Sequence, residues 1–255
     1  MVKEKQLAPR KRTAAAEAKS QHFSLKKIKP LTENQERTFE AYEAGNHLVL
    51  SGSAGSGKSF LAMYLGLKDL LDDASHYNRI IIIRSAVPSR DLGFVPGTLE
   101  EKAKIYQEPY QNIVNELIGR GDAWHFLIHK GIVEFQTTSF LRGLTFRDCI
   151  IVFDEFQSAT FHEIDTVLTR IGENCRFILC GDYNQNDLNN KKEKSGLTDA
   201  VRILNNIKDV HHIKFGLEDI VRSGFVKEYL TVKEKCMKDH LLRPILLELG
   251  LNLQG

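Results

Sequence analysis

The residues best suited to chemistry form one run, Gly52-Ser53-Ala54-Gly55-Ser56-Gly57-Lys58-Ser59, which spells G-x-x-x-x-G-K-S in full. The apolar run Leu48-Val49-Leu50 leads into it, and Phe60-Leu61-Ala62-Met63-Tyr64-Leu65 continues from it with helical character. Strand, glycine-rich loop and helix in that order make a cradle for a polyphosphate. Glycines let backbone N–H groups turn inward around an anion, and the helix N-terminus presents its positive end. Lys58 is placed to reach the β- and γ-phosphates and the Ser59 hydroxyl to ligate Mg²⁺. Gly52, Ser53, Ala54, Gly55, Ser56, Gly57 and Phe60 would surround the nucleotide. A plain Gly/Ser turn leaves the flanking strand and helix unexplained. The expectation is a chain that binds a nucleoside triphosphate with Mg²⁺.

Two further strand ends carry polar groups. Ile150-Ile151-Val152-Phe153 runs into Asp154-Glu155. Asp154 at the strand tip would hold the metal through its water shell, and Glu155 would orient and deprotonate an attacking water. Phe177-Ile178-Leu179-Cys180 runs into Gly181-Asp182-Tyr183-Asn184-Gln185. That G-D-x-x-Q end would bring Asp182 and Gln185 near the γ-phosphate, with Gln185 as its sensor. The bland readings are a surface Asp-Glu closing a buried strand and a Gly-Asp turn.

These positions require an alternating frame. Thr32-Glu33-Asn34-Gln35 has capping-box form and starts a helix ending at Gly45. Strands are expected at His47–Ser51, Arg79–Arg84, Ile132–Gln136, Cys149–Phe153, Arg176–Cys180 and His211–Phe215. Helices are expected at Lys58–Leu71, Glu100–Leu117 with Pro109 disturbing it, Phe161–Ile171, Leu197–Asn205, Leu217–Arg222 and Phe225–Lys238. Continuous apolar runs such as Ile80–Ile83 suit parallel strands covered on both faces. The fold class is therefore α/β, a mainly parallel sheet with helices on both faces and ligands at the carboxyl ends of the strands.

Length and composition fit one soluble core: 255 residues, 42% apolar and 27% charged. No apolar run approaches the roughly 20 residues needed to cross a bilayer, and the charged N-terminus lacks a secretory h-region. Cys149, Cys175, Cys180 and Cys236 show no C-x-x-C spacing, as expected of reduced thiols in the cytoplasm, or a host's cytoplasm for a phage-encoded protein. The net charge of +2 is uneven. Residues 1–30 hold nine Lys/Arg against two Asp/Glu, and the remainder holds 26 against 31. Residues 1–28 read as a basic, disordered arm and 29–255 as a single core with C-terminal helices. The arm is either a solvated tail or a nucleic-acid contact.

Taken in order, the motifs resemble those of the PhoH-like ATPases, relatives of the superfamily 1 helicase motor core with its RecA-like P-loop NTPase fold. The carriers are Thr32–Gln35, Gly52–Ser59, Arg84-Ser85-Ala86-Val87 with Leu92–Gly97, Phe140-Leu141-Arg142-Gly143, Phe153–Gln157, Gly181–Gln185 with Asp187-Leu188, Ser195-Gly196-Leu197 and Asp219-Ile220-Val221-Arg222. Phe156 stands where the family usually has a small residue, and Ser223 where it usually has His. The resemblance implies that Gln35 reads adenine, as an alternative or addition to its capping role, and that Arg222 is an arginine finger. Arg84, Arg90 and Arg142 either contact a single strand or make structural ion pairs.

With one core and no room for a second, the finger's natural recipient is a neighbouring subunit, so the resemblance implies a homo-oligomer, a hexameric ring. It also implies action on single-stranded nucleic acid, RNA favoured over DNA, with helicase activity among the outcomes. The alternatives are a nucleotide-dependent RNA-binding module without motor activity and a small-molecule kinase. A nuclease domain of the sort some family members carry is not expected.

Overall fold

The computed structural model describes residues 23–72, 74–85, 99–141, 143–182, 196–233 and 235–236. Helix α1 (Glu33–Glu43) precedes β1 (His47–Gly52), and α2 (Lys58–Leu71) leads to β2 (Arg79–Arg84). Next come α3 (Leu99–Ile118), α4 (Ala123–His129), β3 (Val133–Thr137) and β4 (Cys149–Asp154). The chain continues through α5 (Phe161–Leu168), β5 (Cys175–Gly181), α6 (Leu197–Leu204) and β6 (Val210–Phe215). The six strands form one sheet in the order β3-β2-β4-β5-β1-β6, and every neighbouring pair is parallel. β5 thus lies between the strand feeding the glycine loop and the strand ending in Asp154. This is the RecA-like arrangement, and it sets both strand tips at one edge of the sheet.

Strand periodicity divides the core in two. Leu48, Leu50, Ile80, Ile82, Ile150 and Val152 face a layer that includes Leu61, Leu65 and Leu70 of α2 and Tyr110, Val114 and Leu117 of α3. Val49, Ile81, Ile83, Ile151 and Phe153 face Ile164 and Val167 of α5 and Val201 and Leu204 of α6. Both faces are covered, which is why the strands read as unbroken apolar runs.

Among the described residues the expected elements are present with four differences, and the helix expected at Phe225–Lys238 extends beyond those residues. α4 is an addition, because seven residues are too few for helical periodicity to show in the sequence. Pro109 lies inside α3 without ending it, since buried Tyr110, Val114 and Leu117 anchor the helix immediately beyond the missing hydrogen bond. The helix expected at Leu217–Arg222 is only a 3-10 turn at Leu217–Asp219. There the Asp219 carboxylate takes the Gly216 N–H at 2.8 Å, and the Val221 N–H turns away to the Gly55 carbonyl at 3.2 Å.

The fourth difference corrects the boundary of the basic arm, because residues 23–31 pack as a strap along the helices. Phe23 is buried, with its ring 5.1 Å from that of Phe126 and under the Arg120 guanidinium at 4.8 Å. The Lys26 N–H donates to the Leu117 carbonyl at 2.8 Å and the Ile28 N–H to the Tyr64 hydroxyl at 3.3 Å. Lysines at 26, 27 and 29 give this stretch a tail-like composition while Phe23, Leu25 and Ile28 supply its contacts. A chain beginning at residue 29 should therefore be less stable than one beginning at residue 23. The expected loss is about 3–6 kcal/mol, for one buried and two half-buried apolar side chains at roughly 1.5–3 kcal/mol per full burial. Equal urea midpoints for the two would show that the strap adds nothing.

Candidate active site

The loop between β1 and α2 starts from a contact that only glycine permits. Gly52 has φ +123°, and a Cβ there would sit 1.9 Å from the Phe215 carbonyl oxygen at the end of β6. The next N–H, of Ser53, donates to that same carbonyl at 3.1 Å. Lys58 folds its ammonium into the loop, donating to the Gly52 and Ser53 carbonyls at 2.9 and 2.8 Å and to Ser56 Oγ at 3.3 Å. Burial lowers the Lys58 pKa, and the charges of Asp182, Asp154 and Glu155 oppose that shift.

Beside the loop, Asp154 closes β4 with its carboxylate buried. Ser59 Oγ, in the first turn of α2, donates to Oδ1 at 2.8 Å, and the Tyr110 hydroxyl on α3 donates to Oδ2 at 2.8 Å. Burial raises the Asp154 pKa and the Glu155 charge adds to it, while the Tyr110 and Ser59 hydrogen bonds and Arg84 pull the other way. A hydroxyl and a carboxylate oxygen side by side at the mouth of a phosphate loop suit a hard cation such as Mg²⁺.

Glu155 follows at φ 52°, ψ 37°, a left-handed conformation costly for a residue with a side chain and common where function holds it. The turn sends Phe156 into the core, where its ring lies against Gly181, so close that a Cβ there would meet it at 2.6 Å. Gln157 is buried between two strand tips. Its amide nitrogen donates to Glu155 Oε2, and its amide oxygen accepts the Asp182 N–H at 3.0 Å.

The loop, these tips, α3 and the strap enclose a cleft of ≈ 860 Å³. Gln35, Ala54, Gly55, Gly57, Lys58, Ser59 and Phe60 line it together with Asp154, Glu155 and Arg222. Gly52, Ser53 and Ser56 support the loop from behind and do not line the cleft. Gln35 is buried at the loop. Its Oε1 accepts the Leu31 N–H at 2.9 Å and its Nε2 donates to the Ser56 carbonyl at 3.3 Å. The expected capping box is therefore half formed. Thr32 Oγ1 accepts from the Gln35 N–H at 3.4 Å, but the Gln35 side chain bonds one residue beyond the cap and ties strap to loop.

Arg222 reaches its own chain's loop, with its Cγ 3.1 Å from the place of a Cβ at Gly55. The cleft of its own chain is thus within reach of Arg222, beside the neighbouring subunit expected from chain length. Arg84 also lines the cleft, with its guanidinium carbon 5.2 Å from the centre of the Tyr106 ring, so it sits beside Asp154 and not on an outer groove. Gln185, Arg90 and Arg142 lie outside the described residues. Sequence reasoning missed Tyr110 and Gln157. Gln157 has a faint signal, an amide two residues beyond Glu155, whereas nothing near Tyr110 points to Asp154.

A family model described as PhoH-like protein matches residues 27–234. A PhoH-like protein of Mycobacterium bovis is 36% identical over 209 residues, 80% of this chain and 57% of that protein. A PhoH-like protein of Bacillus subtilis is 34% identical over 202 residues, 78% of this chain and 62% of its own length. Protein PhoH of Escherichia coli K12 is 32% identical over 200 residues, 78% and 56% respectively. The chain thus spans roughly three fifths of the length of these relatives. Among solved structures, Pif1 helicase from Candida albicans aligns with a TM-score of 0.37 at 17% identity, covering 74% of this chain and 40% of that one. Among the described residues, no helix is long and apolar enough to cross a membrane. With the phosphate loop, the Asp154-Glu155 tip and Arg222 all inside the matched span, this chain belongs to the PhoH-like protein family.

Proposed function

We propose that this protein hydrolyses ATP with Mg²⁺ and that single-stranded nucleic acid, RNA in preference to DNA, stimulates the turnover. The observation that carries hydrolysis is the convergence on one cleft of Lys58, the Ser59–Asp154 pair at 2.8 Å, and Glu155 held at its rim by Gln157. Lys58 binds the β- and γ-phosphates by exchanging loop carbonyls for phosphate oxygens. Ser59 and Asp154 would hold Mg²⁺, which when bound neutralises charge on those phosphates. Glu155 takes the proton of the attacking water, and Gln157 keeps its carboxylate aimed. Gln35 lies against the loop where a purine edge could exchange for its present partners. Arg222 meets charge developing on the transferred phosphoryl group. Support for nucleic acid comes from the likeness of the motifs to the superfamily 1 motor core and from the basic residues 1–30. The same likeness supports a homo-oligomeric ring, and Gln185 as sensor of the γ-phosphate.

Lys58→Ala should abolish ATP binding. Glu155→Gln should bind ATP and hydrolyse it about 10²–10⁴-fold more slowly. Near-normal turnover by Glu155→Gln, measured as phosphate release, would remove this carboxylate from the catalytic residues.

Single-stranded RNA should raise the wild-type rate more than DNA of the same sequence does. Equal rates with RNA, with DNA and with neither would sink the nucleic-acid reading and leave a bare ATPase.

Arg222→Ala should retain ATP binding and lose about 10³–10⁵ in rate. Because its side chain lies on its own loop, mixing Arg222→Ala with Lys58→Ala under subunit exchange should restore nothing. Recovered activity in the mixture would place the arginine in a neighbour's site after all.

A further inference from the structure

Tyr110 has no part in the scheme above, yet it makes one of two side-chain bonds to the carboxylate on which the scheme depends. Its hydroxyl is 2.8 Å from Asp154 Oδ2, on the opposite side of the carboxylate from the Ser59 bond to Oδ1. A carboxylate held through one oxygen can still rotate, because the terminal torsion of Asp is broad. Held through both, its plane is fixed. A phenol suits this role, since it has few torsions to freeze. Here it is 1% exposed and packs with the Phe135 ring at 5.9 Å between centroids.

One turn earlier on α3, Tyr106 lies under the Arg84 guanidinium at 5.2 Å. Arg84 and Asp154 are register partners at the tips of β2 and β4. Two tyrosines four residues apart, on one face of one helix, thus grip two adjacent strand tips.

We infer that Tyr110 is a positioning residue for the divalent cation: it fixes the rotation of Asp154 so that Oδ1 is presented to Ser59 and to a metal beside it. The inference rests on the Mg²⁺–nucleotide reading of the cleft and deepens it. Through Tyr110, α3 reaches the metal end of the site, and a shift of this helix re-aims the carboxylate.

The test is binding of a fluorescent ATP analogue to the full chain, titrated with Mg²⁺ and repeated in EDTA. Tyr110→Phe removes one hydroxyl and keeps the ring. Affinity in EDTA should match wild type, because Lys58 and the loop are untouched. The Mg²⁺ concentration giving half of the metal-dependent gain should rise about tenfold, the low end of the 10–100-fold typical when a partner of a metal-holding group is lost. Mn²⁺ binding followed by electron paramagnetic resonance in the presence of ATP should shift in the same direction. Tyr106→Phe keeps both the ring under Arg84 and the Asp154 bond, so its metal requirement should stay within about twofold of wild type, well short of the shift expected from losing a partner of a metal-holding group.

An unchanged metal requirement in Tyr110→Phe overturns the inference. So does an equal loss of affinity with and without metal, which would mark Tyr110 as packing alone. Failure of the underlying reading looks different: wild type itself would bind no nucleotide, or bind it with no response to Mg²⁺, and the inference would fall with it.

Discussion

A charge buried at a strand tip sets the terms for the rest of this site. A carboxylate withdrawn from water is destabilised by several kcal/mol unless donors meet it, and the donors for Asp154 come from two helices. Ser59 stands where the phosphate loop becomes α2, and Tyr110 stands midway along α3. One buried group therefore joins the loop, the central strand and the helical layer. Lys58 faces the mirror-image problem, since burial works against its ammonium as it works against the Asp154 carboxylate. Asp154, Glu155 and Asp182 oppose that loss for Lys58. Asp154 thus favours the ionised form of Lys58, while its own ionised form is favoured by the Tyr110 and Ser59 hydrogen bonds and by Arg84.

What was legible in the sequence was local. The glycine loop and the Asp154-Glu155 tip could be read because each packs a strand end and its chemistry into a few consecutive residues, and the apolar runs feeding them are unmistakable. What was illegible depends on residues meeting from afar. Tyr110 lies 44 positions from Asp154 and looks like any other apolar position on an amphipathic helix. The strap was hidden by its lysines, whose charge describes the solvent-facing side while Phe23 and Ile28 define the other. The turn before Arg222 looked helical because its apolar residues have helical spacing. A single backbone bond to Gly55 decided the matter instead.

Phe156 shows how a bulky residue can sit beneath the Asp154-Glu155 tip. The Glu155 backbone is held in a conformation that costs on the order of 1–3 kcal/mol, and such a turn persists only when its surroundings over-determine it. Phe156 does so from below, filling the space that Gly181 leaves on the neighbouring strand, and Gln157 does so from the side. Large residue and glycine are two halves of one fit across β4 and β5. Neither would be understood alone.

The strand order also carries a consequence for how the molecule comes into being. β1 hydrogen-bonds only to β5 and β6, and the first residues of the phosphate loop rest on the Phe215 carbonyl. In chain order the loop precedes its wall by about 160 residues, on the order of ten seconds of synthesis at ribosomal speed. Contacts of such separation close late, after the local helices have formed. A nascent chain interrupted before β6 therefore carries the whole glycine motif without the floor it stands on.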